Sequence, residues 1–90
     1  MVIASAMVGV CEGLIYGYKA GLDMEKVHAL ISGGAARSFS LEVLGGRMLT
    51  RDFHSGGAVW YFMKDMKIAL DEAERMKLSL PGLALVKQLY

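Results

Sequence analysis

AVWYFMKDMKIALDEAERMK, residues 58–77, is the stretch that decides the fold. Val59, Phe62, Met63, Met66, Ala69, Leu70, Ala73 and Met76 recur at steps of three and four. That spacing makes one wide apolar stripe along an α-helix and cannot serve a strand, whose period is two. Tyr61, Lys64, Ile68, Asp71 and Arg75 fall on the opposite side. Tyr61 and Ile68 do not belong on a plain solvated face. Their presence beside Lys64 points to an outer face that meets something.

The same period runs through the rest of the chain. The first helix is expected over Met1 to Ala20. Its non-aromatic polar side chains, Ser5, Glu12 and Lys19, stand seven apart and form one narrow stripe. The remainder is apolar or glycine, so most sides of this helix are expected to be covered. Gly9, Gly13 and Gly17 share a face. They serve either the close approach of another helix backbone or tolerance of a crowded core, at a helix cost of about 1 kcal/mol each against alanine.

Gly21 fits the left-handed position after a helix end. Asp23 is a good N-cap, with Glu25 in the first turn, for a helix from Asp23 to Ser32. Val27, Leu30 and Ile31 are expected to point inward, and Gly33-Gly34 to end the helix. A third helix is expected over Ala36 to Leu44, stopped by Gly45-Gly46, with room for another turn within Ser40 to Thr50. Arg51 to Gly57 reads as a loop. The fourth helix is the opening stretch. Ser79 and Leu80 can cap the last one, which Pro81 opens at a position that needs no N–H donor. The expectation is an all-α fold, a five-helix bundle.

Composition narrows the function classes. Of 90 residues, 54% are hydrophobic, and the mean hydropathy is +0.39. A chain this short hides only about 60–65% of its unfolded surface. It therefore has more apolar material than it can bury, and a partner chain or a second domain is expected to cover the excess. The net charge is +1, without the dense basic face that nucleic acid requires. One cysteine excludes an internal disulfide and fits a reducing compartment, cytoplasmic or, in a eukaryote, the mitochondrial matrix. No signal or transit peptide is legible. The first apolar run is broken by Glu12 and two glycines, so no membrane span is expected.

Candidate chemistry is sparse. His28 and His54 stand at no metal-ligand spacing, so no metal site is expected. Cys11 reads as a small buried hydrophobe. Ser32 to Ser38 is rich in glycine and opens a helix. It reads either as an ordinary helix–helix turn or as a backbone anion site. Lys64 with Asp65 is the best candidate. It is either a solvated lysine paired with Asp65 or Asp71, or a compact cation that meets a carboxylate or phosphate.

Five segments resemble one known family in matching order. They are Met7 to Asp23 (MVGVCEGLIYGYKAGLD), Ile31 to Ala36 (ISGGAA), Arg51-Asp52-Phe53, Phe62 to Leu70 (FMKDMKIAL) and Leu80-Pro81-Gly82. Together they are similar to the C-terminal helical domain of the 3-hydroxyisobutyrate, or β-hydroxyacid, dehydrogenases of the 6-phosphogluconate dehydrogenase-like superfamily. The resemblance implies one helical domain over residues 1–90. It also implies NAD(P)-dependent oxidation of a small 3-hydroxy acid, a preceding Rossmann domain, and a homo-oligomer built through the helical domain.

The family's catalytic lysine stands on the interdomain helix, ahead of the part matched here. No catalytic residue is therefore expected in the chain. Activity and NAD or NADP are expected of a full-length enzyme, and no cofactor of this chain alone. The resemblance makes Lys64 a cofactor- or substrate-contacting group, Asp65 its neighbour, and Phe53 and Phe62 walls of the cleft. The alternative is a stand-alone, non-catalytic helical interaction module.

Overall fold

The computed structural model describes every residue from Met1 to Tyr90. The chain is all-α. Its helices are α1 (Val2–Lys19), α2 (Met24–Ser32), α3 (Gly46–Leu49), α4 (Val59–Arg75) and α5 (Pro81–Leu89). A π-helical segment, Ser40–Gly45, leads directly into α3. The residues group into two compact units. One comprises Met1–Ser5 with Ser55–Tyr90, and the other Ala6–His54.

In the first of these units α4 packs on α5. Met66 is 1% exposed and Ala73 is buried beside it in sequence register on α4. Leu83 and Val86 are the buried residues of α5. Phe62 meets Tyr90 edge to face, with ring centroids 5.9 Å apart. The Tyr90 hydroxyl donates to the carbonyl of Ala4, which is itself buried, at 3.3 Å. The middle of the expected apolar stripe is therefore the core of this unit. Its ends are not: Val59 and Met76 are exposed.

The start signals of α5 worked through one residue. Pro81 opens the helix, but Leu80 is the cap residue and makes no side-chain hydrogen bond. Ser79 therefore does not cap.

The second unit shows where local signals hold. Gly21 has φ of 77°, the left-handed conformation a β-carbon would disfavour. The Asp23 side chain accepts from the Lys26 backbone N–H at 3.3 Å, and Gly33 ends α2. Leu14 and Leu41 are buried.

Several expectations fail in this unit, and the third helix begins at Ser40 rather than at Ala36. Leu30 points outward at 78% exposure, while Val27 and Ile31 are half-buried. Gly45-Gly46 does not stop a helix. The chain stays helical from Ser40 through both glycines to Leu49. A β-carbon on Gly45 would come within 3.3 Å of a Val10 methyl, and one on Gly46 within 3.4 Å of the His28 ring. The pair is there to let α1 and α2 come close, not to break the helix. Conversely, Gly9 and Gly13 have nothing within 4 Å of where a β-carbon would stand. Only Gly17 meets a neighbour, the Met24 side chain at 3.1 Å.

Gly45→Val tests this reading. The added side chain must displace Val10 and Leu14, and overpacking of this kind costs about 1–3 kcal/mol. Chemical denaturation of the variant measures the loss. Unchanged stability would mean that α1 has room to move away.

His28 has a structural task. Its Nε2 lies 2.8 Å from the Leu41 carbonyl oxygen. It thereby ties α2 to the π-helical segment while its ring covers Gly46. Ser38 caps the start of that segment, its hydroxyl accepting from the Leu41 N–H at 3.0 Å. The Ser32–Ser38 stretch is thus a connecting turn whose last residue caps the next helix.

Candidate functional site

Lys64 leaves α4 on the side away from Met66. Its side chain is 55% exposed, and its Nζ is 3.4 Å from an Asp65 carboxylate oxygen. Asp71, the other partner open to it, pairs with Lys67 instead. The second neighbour of Lys64 is Tyr61, one helical turn back, whose ring centroid lies 5.9 Å from Nζ. Positions three apart share a helix face, which is why the two meet. Trp60 stacks on Tyr61 with centroids 3.8 Å apart and planes 25° from parallel. Both rings are more than half exposed, as is Ile68 on the same helix. The outer face of α4 therefore carries an ammonium group between a carboxylate and a pair of aromatic rings.

Of the residues singled out in the sequence, Lys64 and Asp65 come together. Phe62 is half-buried and engaged with Tyr90. Phe53 is exposed and belongs to the other unit. The Trp60–Tyr61 stack was missed as a pair. Its signal was an aromatic doublet directly before Phe62-Met63-Lys64.

The loop that carries Phe53 is clasped. Asp52 accepts from Arg47 Nε at 3.2 Å, from the His54 backbone N–H at 3.3 Å, and faces His54 Nδ1 at 3.2 Å. Arg47 also donates to the His54 carbonyl. The Arg47 side-chain hydrogen bond, then the His54 backbone and side-chain hydrogen bonds, hold the Asp52 carboxyl below its ordinary value of 3.8.

A depressed carboxyl stabilises the clasp wherever it is ionised. The contribution is complete above the ordinary value and is lost as pH falls through the lowered one. The Asp52 side-chain carboxyl ¹³C resonance is therefore expected to titrate with a midpoint below 3.8. A midpoint at or above 3.8 would show that the clasp does not form.

Ala6–His54 also contains a largely apolar cavity of about 470 Å³, lined by Cys11, Leu14, Ile15, Tyr18, Met24 and Met48 among others. Cys11 is half-buried there, its sulfur 4.0 Å from that of Met48. This is the setting of a packing thiol. No group of three or more His, Cys, Asp or Glu side chains is placed to hold a metal ion. No helix is long and apolar enough to cross a membrane.

The model of one family, described as NAD-binding of NADP-dependent 3-hydroxyisobutyrate dehydrogenase, matches residues 1–90. The chain belongs to the 3-hydroxyisobutyrate dehydrogenase family. It is 56% identical over 88 residues to a probable 3-hydroxyisobutyrate dehydrogenase-like 1, mitochondrial, of Arabidopsis thaliana, covering 98% of this chain and 26% of the relative. An uncharacterised oxidoreductase of Bacillus subtilis is 50% identical, covering 98% of this chain and 31% of that protein. The 2-hydroxy-3-oxopropionate reductase of Escherichia coli is 36% identical over 90 residues, covering 100% of this chain and 31% of that protein. The chain thus spans about a quarter to a third of the length of these relatives.

The family binds NAD or NADP. Such a cofactor is anionic, and a cation with flat apolar surface beside it suits one. Lys64 offers an exposed ammonium group, and the Trp60 and Tyr61 rings beside it offer flat apolar surface. The glycine-rich strand-to-helix turn that cradles a pyrophosphate is not part of an all-helical chain.

Proposed function

We propose that this chain is the C-terminal helical domain, over residues 1–90, of an NAD(P)-dependent oxidoreductase acting on a small 3-hydroxy acid. It forms one wall of the cleft and part of a subunit interface, and it is inactive alone. The observation that carries this reading is one of extent: the family match runs the whole length of the chain, while the chain spans about a quarter of the first relative. The exposed apolar surface supports it. Ile15, Tyr16, Tyr18 and Leu30 are each 63–78% exposed, which is the condition of a domain that rests on others.

When bound, the nicotinamide accepts the hydride released as the alcohol becomes a carbonyl. The chain's own residues bind and orient. The Lys64 ammonium meets an anionic group of cofactor or substrate, and Asp65 holds that ammonium from one side. No proton transfer is assigned to a residue of this chain. The substrate assignment follows the names of the relatives, one a 3-hydroxyisobutyrate dehydrogenase-like protein and one a 2-hydroxy-3-oxopropionate reductase.

The second reading, a helical interaction module without catalysis, draws on the same exposed surface. Activity separates the two. The full-length gene product is expected to reduce NAD or NADP in the presence of 3-hydroxyisobutyrate or a close analogue, and residues 1–90 alone are expected not to. Reduced nicotinamide formed by residues 1–90 alone would overturn the domain reading. Light scattering of the chain at micromolar concentration is expected to give a multiple of the 9.8 kDa monomer mass. A monomer would count against the interface.

A further inference from the structure

The outer face of α4 has an economy that pairing of Lys64 with Asp65 does not explain. A solvated lysine needs no aromatic neighbour, and an exposed tryptophan beside an exposed tyrosine is costly to hydrate. Here both rings are exposed and stacked, with Tyr61 one turn before the ammonium. We propose that Tyr61, braced by Trp60, is a positioning residue that holds the Lys64 ammonium at the ligand face of α4. This rests on the reading of Lys64 as a ligand contact.

A long lysine stem is free to sweep a wide arc, and a salt bridge between two half-exposed side chains restrains it little. A ring face supplies the second restraint, because its quadrupole attracts the ammonium from a direction different from that of the carboxylate. A single exposed tyrosine would itself choose among rotamers. Stacking against Trp60 at 3.8 Å selects one of them. The ammonium is thus directed by two neighbours and keeps donor capacity for a third, anionic, group.

The test combines a spectroscopic signature with kinetics. The six lysines of the chain are reductively ¹³C-methylated, which preserves their charge, and the Lys64 signal is assigned by its absence in Lys64→Arg. It is expected upfield of the other lysines through the ring current of Tyr61. It should stay there in Tyr61→Phe, move to the common position in Tyr61→Leu, and move partway in Trp60→Ala. Tyr61 is 51% exposed, so these variants leave the buried residues of α4 untouched.

In the full-length enzyme, Tyr61→Leu is expected to raise KM for the ligand of Lys64 roughly 2- to 5-fold with kcat unchanged, and Tyr61→Phe to restore it. A Lys64 signal that is the same in the wild type and in Tyr61→Leu overturns the positioning role, whatever Lys64 binds. Equal KM in Tyr61→Leu and Tyr61→Phe overturns it too. Should Lys64→Gln leave KM for both cofactor and hydroxy acid unchanged, the reading of Lys64 itself falls, and the role of Tyr61 in binding with it.

Discussion

Met66→Ala is expected to lower the unfolding free energy of this chain by roughly 2–5 kcal/mol. Met66 is the largest fully buried side chain, 1% exposed, in the unit that α4 and α5 form. Truncation removes the transfer free energy of the lost atoms and leaves a void that the neighbours fill only in part. Small domains have about 5–15 kcal/mol of stability in total, so this one change can remove much of it. Few side chains share the burden here: the buried apolar residues are Ala4, Leu14, Leu41, Met66, Ala73, Leu83 and Val86. Urea unfolding followed by far-UV circular dichroism measures the effect. A loss below about 1 kcal/mol would mean that the site collapses around the smaller side chain, or that α4 is stabilised chiefly elsewhere. Met66→Leu conserves volume and is expected to cost less than about 1.5 kcal/mol.

Lys64→Gln is expected to show the opposite profile. Its pairing with Asp65 is solvent-exposed, and such pairs contribute about 0–1 kcal/mol, so stability changes little. Binding in the full-length enzyme is expected to suffer instead. A hydrogen bond to a charged group contributes about 1.5–3 kcal/mol, which weakens the ligand that Lys64 meets roughly 10- to 100-fold. The neutral glutamine keeps a donor and removes the charge, so the loss reports the charge. Steady-state kinetics with cofactor and hydroxy acid varied in turn identifies which of them Lys64 touches. Unchanged KM for both, with unchanged stability, would make Lys64 an ordinary solvated lysine. Met66 and Lys64 lie two positions apart on one helix, yet the first variant is expected to alter folding and the second binding.

Much of the candidate site was legible as a pattern rather than as a place. Lys64, Tyr61 and Ile68 stand opposite the apolar stripe, and that pattern alone marks the outer face of α4. That Asp65 rather than Asp71 takes the ammonium depends on which rotamers compete, and Lys67 takes Asp71. The Trp60–Tyr61 stack depends on rotamers in the same way. Phe62 shows the limit of reading by neighbourhood. Two positions before Lys64 in sequence, its ring is engaged with Tyr90, at the far end of the chain.

By itself, the sequence determined those features that rest on apolar period and on single capping or turn residues. The apolar period set α1 and α4 within a residue or two of their observed ends. Gly21 turned the chain, Asp23 capped α2, and Pro81 opened α5. These are local dihedral and hydrogen-bond preferences, and they act before any tertiary contact forms.

Only the tertiary structure decided the rest. Gly45-Gly46 continues a helix because Val10 and His28 occupy the space that side chains would fill. Leu30 faces outward although its neighbours Val27 and Ile31 turn in. The His28 ring is held at the Leu41 carbonyl, thirteen residues away. For Gly45, Gly46 and His28 the role is set by atoms distant in sequence. No period or cap encodes those atoms, because what they impose is a limit on volume and hydrogen bonding that exists only once the helices have met.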